Sequence, residues 1–231
     1  MGERISISTP DGEFSAYVAR PKAEKAPAVV VIQEIFGVNK VMRDITDGLA
    51  AQGFLALCPD LFWRIEPGVD ITDQSEAEWN KAFALYNAFD VDLGVKDIAA
   101  AIAHVRADPG CTGKVGAVGF CLGGLLAFLT ATRTDIDASV GYYGVGIEKH
   151  LGEADKLADP LLLHIAEEDQ FVPKEAQALI VSSLKNHPHV EIFTYPGRDH
   201  AFARRGGEHY DAADAALASS RTLALFKKAL A

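Results

Sequence analysis

Three cysteines in 231 residues are too few, and odd in number, for a disulfide framework, and a chain of this length does not need one. Cys58, Cys111 and Cys121 lack the C-x₂₋₄-C spacing that lets two thiolates reach one zinc ion, and there is no H-E-x-x-H. No metal site is expected. Positive charge is also scarce: 22 Lys+Arg against 32 Asp+Glu leave a net charge of −10, which repels phosphate backbones and anionic lipid. Neither nucleic acid nor a membrane is an expected partner. No window approaches the roughly 18 apolar residues of a membrane span, and Met1 through Asp11 carry no apolar run fit for a secretory signal. A cytoplasmic location is therefore expected. Phosphate cradles are missing too, because Gly116-Ala117-Val118-Gly119 leads to no G-x-G-x-x-G and no G-x-x-x-x-G-K-[ST] occurs. Linkers rich in Gly, Ser or Pro, low-complexity tracts and internal repeats are absent, so residues 1–231 read as one domain.

What is present is an ordinary globular composition, 49% hydrophobic and 23% charged. Eight β-rich runs recur, at Ile5–Ser8, Phe14–Ala19, Ala28–Gln33, Phe54–Cys58, Val115–Phe120, Ala138–Tyr143, Pro160–Ala166 and Val190–Tyr195. The first two alternate apolar and polar residues around the Pro10-Asp11-Gly12 turn, as an edge hairpin does. Later runs such as Val29-Val30-Val31-Ile32 and Leu161-Leu162-Leu163 are continuously apolar, which suits strands covered on both faces. Helical patterns at Lys40–Gln52, Glu76–Phe89, Val91–Ala107, Leu122–Thr132, Lys174–Asn186 and Ala212–Ala229 fall between them. This alternation predicts an α/β fold: an eight-stranded, mostly parallel sheet with helices on both faces.

In such sheets chemistry gathers beyond the carboxyl ends of the strands. There the sequence places Gly119-x-Cys121-x-Gly123 between a Val-rich strand and an apolar helix. This is the nucleophile-elbow pattern with Cys in place of Ser. A tight strand-to-helix turn leaves no room for side chains two positions before and after the nucleophile, and it stands the thiol at a helix N-terminus, where free N–H groups favour negative charge. An arbitrary cysteine is most often a small buried residue; the frame reverses that reading for Cys121, whereas Cys58 reads as core and Cys111 as an incidental loop residue. The Leu122 N–H would bind a developing oxyanion.

A thiolate nucleophile needs a base and a group to orient it. Of seven histidines, His164 lies inside an apolar strand and His104 in a helix, His187 and His189 flank Pro188, and His150 and His209 lie in polar stretches. His200 follows a strand, the Pro196-Gly197 turn and an acid, and is the candidate base. Asp169, at the end of the seventh strand, is preferred as the orienting acid over Glu167 and Glu168, with Asp137 and Asp159 as weaker alternatives. It could otherwise only cap a helix or solvate the turn. The order Cys121, Asp169, His200 is the nucleophile, acid, histidine order of α/β hydrolases.

With these residues in view, the chain resembles the dienelactone hydrolase family over nearly its whole length. The likeness is carried by Gln33-Glu34-Ile35-Phe36-Gly37-Val38-Asn39, Cys58-Pro59-Asp60-Leu61, Gly119-Phe120-Cys121-Leu122-Gly123-Gly124, Gly141-Tyr142-Tyr143-Gly144 and His200-Ala201-Phe202-Ala203-Arg204. It implies an α/β-hydrolase fold and hydrolysis of a small enol-lactone through an acyl-enzyme, with Cys121 attacking, His200 exchanging the proton and Asp169 orienting His200. Glu34 would hold the thiol proton until substrate arrives, and the Ile35 N–H would complete the oxyanion hole. Arg204 matches a carboxylate-binding arginine of the family, with Phe36, Phe83, Tyr86 and Tyr143 as aromatic walls. Trp79 stands where the family has a second arginine, and Ala201 where it has a hydroxyl. No cofactor is implied, and a monomer or small homo-oligomer is expected. A carboxylesterase or thioesterase on another small ester is the alternative; a non-catalytic binder or thiol redox sensor is disfavoured, since no resolving cysteine is evident.

Overall fold

The computed structural model describes residues 2–231. Its strands are β1 (Glu3–Thr9), β2 (Gly12–Ala19), β3 (Ala26–Ile32), β4 (Leu55–Pro59), β5 (Cys111–Phe120), β6 (Ala138–Tyr142), β7 (Leu161–Ala166) and β8 (Val190–Tyr195). Six α-helices lie among them: α1 (Lys40–Ala51), α2 (Glu76–Ala88), α3 (Val91–Arg106), α4 (Leu122–Arg133), α5 (Lys174–Leu184) and α6 (Ala212–Ala229). The strands form an eight-stranded, mostly parallel sheet in the order β1-β2-β4-β3-β5-β6-β7-β8. The chain divides into two compact units, Met1–Gly116 and Ala117–Ala231.

In the first unit, β1 and β2 pair antiparallel from Glu3↔Val18 to Thr9↔Gly12, closed by the Thr9 hydroxyl, which donates to the Gly12 carbonyl and accepts from the Asp11 N–H. β2 pairs antiparallel with β4, and β4 parallel with β3. The apolar run Ala28 to Ile32 is fully buried, so the strand is held by transfer of both its faces out of water. The helices begin where the sequence supplies side-chain caps: Asn39 accepts from the Met42 N–H, Ser75 from Glu78 and Asp90 from Asp92 and Leu93. Buried Asp97 on α3 accepts from Trp63 Nε1 at 2.8 Å and Arg64 Nε at 3.0 Å, fastening the turn after β4 to that helix.

In the second unit β6, β7 and β8 run parallel, with Leu161 to Ala166 of β7 all buried. α4 is buried from Leu122 to Thr132, a helix enclosed on every side that matches its uniformly apolar sequence. Beneath α6 runs a buried polar chain. Tyr195 Oη and Thr222 Oγ1 hold the two nitrogens of His164 at 2.8 and 3.1 Å, and Tyr142 Oη meets the same threonine at 2.7 Å.

The structure differs from the sequence reading in two places. Cys111 is no loop residue: it opens β5, is buried, and its sulfur accepts from the Gly113 N–H at 3.3 Å. A 3₁₀ stretch, Ile147–Lys156, also went unread, because its apolar residues are too sparse to make a helical period. Among the described residues no helix is long and apolar enough to cross a membrane.

Candidate active site

In the second unit Gly119-Phe120-Cys121-Leu122-Gly123 forms the sharp corner between β5 and α4. Cys121 sits at φ 56°, ψ −115°, a left-handed conformation that costs a non-glycine residue on the order of 1–3 kcal/mol. A Cβ on Gly119 would lie 1.8 Å from the Gly123 carbonyl oxygen, so the corner closes only with glycine there. The Cys121 N–H is bound to the Tyr142 carbonyl at 3.1 Å, tying the corner to the end of β6. Cys121 is the N-cap of α4 and makes no side-chain cap, and the first turn holds no acidic residue. The thiol therefore feels the positive end of the helix undiluted, with Leu122 supplying the first N–H of that end. Cys121 remains partly exposed, whereas Cys58 is fully buried, and burial pushes its thiol well above the ordinary range.

The loops after β7 and β8 bring the other two residues to this corner. His200 Nδ1 lies 2.9 and 3.0 Å from the two Asp169 carboxylate oxygens, with both side chains nearly inaccessible to water. Asp169 also accepts the Phe171 N–H at 2.9 Å and caps no helix, since the N-cap of α5 is Pro173, which makes no side-chain cap. The loops are stapled to each other: Glu168 N–H donates to the Arg198 carbonyl, and Asp199 accepts from the N–H groups of Gln170 and His200 at 3.0 and 2.6 Å. Burial opposes an imidazolium at His200. The charge of Cys121, then the hydrogen bonds with Asp169 and Cys121 and the Asp169 charge, outweigh it and raise its pKa to about 10. His200 is thus hydrogen-bonded to Asp169 through Nδ1 and interacts electrostatically with Cys121.

Among the described residues three non-glycine ones have positive φ, and all belong to this neighbourhood: Cys121, Tyr143 at 37° and Ala201 at 63°. Tyr143, just past β6, is buried, with its ring centroid 5.0 Å from that of His200. Arg204 is buried as well, its N–H bound to the Ala201 carbonyl at 2.9 Å. The sequence reading missed Phe171, whose ring lies edge-to-face on His200 with centroids 4.8 Å apart. Its position two residues beyond Asp169 was the available signal.

The first unit holds the remaining candidates. Glu34, Ile35 and Phe36 are buried in the loop after β3. Gln33 braces that loop, accepting the Leu61 N–H at 3.0 Å and donating to the Glu34 carbonyl at 3.3 Å. Gly37, at φ 75°, bridges to Asp70, where a Cβ would stand 2.0 Å from the Val69 carbonyl oxygen. Phe36 meets Trp79 edge-on with centroids 5.1 Å apart, and Trp79 stacks on Phe83 at 5.5 Å. Trp79 is fixed by its indole N–H on the Asp73 carbonyl at 3.0 Å. Phe83 is 40% exposed and Tyr86 half-buried, so α2 presents part of an aromatic surface to solvent. No cluster of three or more metal-ligating side chains occurs among the described residues.

A cysteine elbow at the end of a central strand, with acid and histidine on the loops after β7 and β8, defines an α/β hydrolase with a thiol in the nucleophile's place. The sequence model of the dienelactone hydrolase family matches residues 14–230. The chain belongs to that family and to its hydrolases. It is 53% identical, over 95% of each chain, to an Azospirillum brasilense protein provisionally named carboxymethylenebutenolidase. It is 44% identical to the carboxymethylenebutenolidase of Pseudomonas putida, across 96% of this chain and 95% of that one. A solved structure from Klebsiella pneumoniae, provisionally described as a dienelactone hydrolase, superposes with a TM-score of 0.86 at 26% identity, covering 99% of this chain and 98% of that one.

Proposed function

We propose that the protein hydrolyses a small enol-lactone of the carboxymethylenebutenolide type, with Cys121 as nucleophile, His200 as proton carrier and Asp169 as its orienting acid. The observation that carries this reading is the Asp169–His200 hydrogen bond beside a partly exposed thiol that caps a helix N-terminus and interacts with the same imidazole. The thiolate attacks the lactone carbonyl carbon, and the oxygen gains a negative charge that the N–H groups of Leu122 and Ile35 accept. Collapse breaks the ring C–O bond. The leaving group is an enolate, which takes the proton of the His200 imidazolium and, as the enol, tautomerises to the ketone, leaving Cys121 as a thioester and His200 neutral. Acylation removes the Cys121 charge, the largest of the effects holding His200 protonated. The neutral imidazole then takes a proton from the water that attacks the thioester carbonyl. Before substrate binds, Glu34 lowers the share of the thiolate–imidazolium pair by like-charge repulsion, and it takes up the remaining thiol proton when substrate displaces the carboxylate.

Arg204 binds the substrate carboxylate, and Phe36, Trp79, Phe83, Tyr86 and Tyr143 wall the acyl and alkoxy portions. A second reading, an esterase for neutral aryl esters on the same three residues, is favoured by the half-buried Trp79 stacked on the exposed Phe83, which offers a flat apolar surface. The protein acts as a single domain, without a cofactor, in the cytoplasm, as a monomer or small homo-oligomer. Turnover of cis- and trans-dienelactone beside a neutral aryl ester, with Cys121→Ala as blank and Arg204→Ala as the specificity variant, separates the readings. The lactonase reading expects Arg204→Ala to raise KM for dienelactone alone; equal turnover of both substrates, untouched by that substitution, selects the esterase. Hydrolysis retained in the blank contradicts both.

A further inference from the structure

We infer that Phe171 is a positioning residue of the hydrolysis: its ring, together with that of Tyr143, holds the His200 imidazole and keeps water off the hydrogen bonds linking Cys121, His200 and Asp169. The inference rests on the proposed roles of these three residues and adds a fourth that acts through His200.

The two rings differ in how they are held. Tyr143 is the fixed one: it is buried and packs on Phe202 at 5.7 Å and Phe120 at 6.2 Å between centroids. Phe171 is the outer one, half-buried, and its plane stands at 81° to the imidazole. His200 itself exposes 5% of its side chain. An edge-to-face pair at this separation fixes the rotation of the imidazole about its χ2 bond, and so the direction in which its second nitrogen points at Cys121. Phe171 also reaches the acid, because its own N–H donates to Asp169 Oδ1. The two roles come apart in a substitution: any residue but proline keeps the N–H, while only an aromatic one keeps the ring.

The electrostatic consequence has a definite sign. The groups facing His200 are Asp169 and Cys121 on its ring nitrogens, Asp199 on its backbone N–H with His209 3.7 Å beyond, and the Tyr143 ring. Burial disfavours the imidazolium, and the anionic partners favour it by more, since the net effect is upward. Water admitted beside the ring weakens both influences together, so the net shift contracts towards the ordinary histidine value. A residue that merely filled the turn would alter the melting temperature and leave this titration alone.

The test is an NMR titration of the His200 imidazole in the full chain, with steady-state kinetics on the same samples, for wild type, Phe171→Ala and Phe171→Tyr. The inference expects the His200 midpoint to fall by about one pH unit in Phe171→Ala and kcat to fall about tenfold with KM little changed. Phe171→Tyr restores both. A midpoint that stays in place in Phe171→Ala overturns the inference, whatever the melting temperature does. If the alanine variant does not fold, Phe171→Leu is measured instead; leucine keeps apolar bulk without a flat ring, and an unmoved midpoint there is equally fatal. Cys121→Ala separates this outcome from failure of the underlying mechanism: if removing the thiol leaves the His200 midpoint unchanged, the thiolate and imidazolium are not paired.

Discussion

Asp169 earns its place through one nitrogen atom. Both of its oxygens lie on His200 Nδ1, so the neutral imidazole carries its proton there and turns its other nitrogen to the thiol. Asp169→Asn keeps the shape but removes the charge. It is expected to lower kcat/KM by about a thousandfold or more, with the fold intact by circular dichroism. The two buried histidines give stability opposite pH dependences. His164 is held near pKa 3 by burial and then by Arg221, below its unfolded value, so its contribution is complete above pH 6.5 and is lost as pH falls from there towards 3. His200 is raised to about 10, so its contribution is complete below pH 6.5 and is lost as pH climbs towards 10. Urea midpoints across that range should fall on both sides of pH 6.5. His164→Phe should flatten the acid limb and leave the alkaline limb as it was.

At the scale of elements, the elbow depends on the approach of β5 to the first turn of α4. Gly119→Ala places a methyl 1.8 Å from a backbone oxygen that cannot move without unwinding α4. The expected cost exceeds about 4 kcal/mol, read as loss of soluble folded protein or a large drop in urea midpoint. This element was legible because its requirements are local: a Val-rich strand, small residues at fixed offsets, an apolar helix. The β1–β2 hairpin was legible for the same reason, its alternation and turn residues being adjacent in sequence. Elements set by distant partners were not. The start of β5 at Cys111 is signalled by no apolar run, for Thr112, Gly113 and Lys114 are exposed. The His164 chain joins β6, β7, β8 and α6, and its partners lie 31 and 58 residues from His164, beyond any periodicity.

Taken as a molecule, the chain was readable to the level of an eight-stranded, mostly parallel sheet and the tight corner that carries Cys121, because hydrophobic burial and the strand-end rule act on every α/β sheet alike. The choice of Asp169 over Glu167 and Glu168 rested on where an apolar run stops. In the structure it is Asp169 that meets His200, while Glu168 pairs with Lys174 at 2.9 Å. Phe171 had only its place two residues beyond Asp169 to mark it, since its ring contact with His200 spans 29 residues of chain. The proposed chemistry turns on the covalent state of one sulfur. The most direct measurement is mass spectrometry of rapidly quenched turnover with a lactone or aryl ester. A transient acyl mass confined to the Cys121 peptide, appearing and decaying within the catalytic cycle, is the predicted result. Full turnover with no adduct on Cys121, or with the adduct on another residue, would contradict the account.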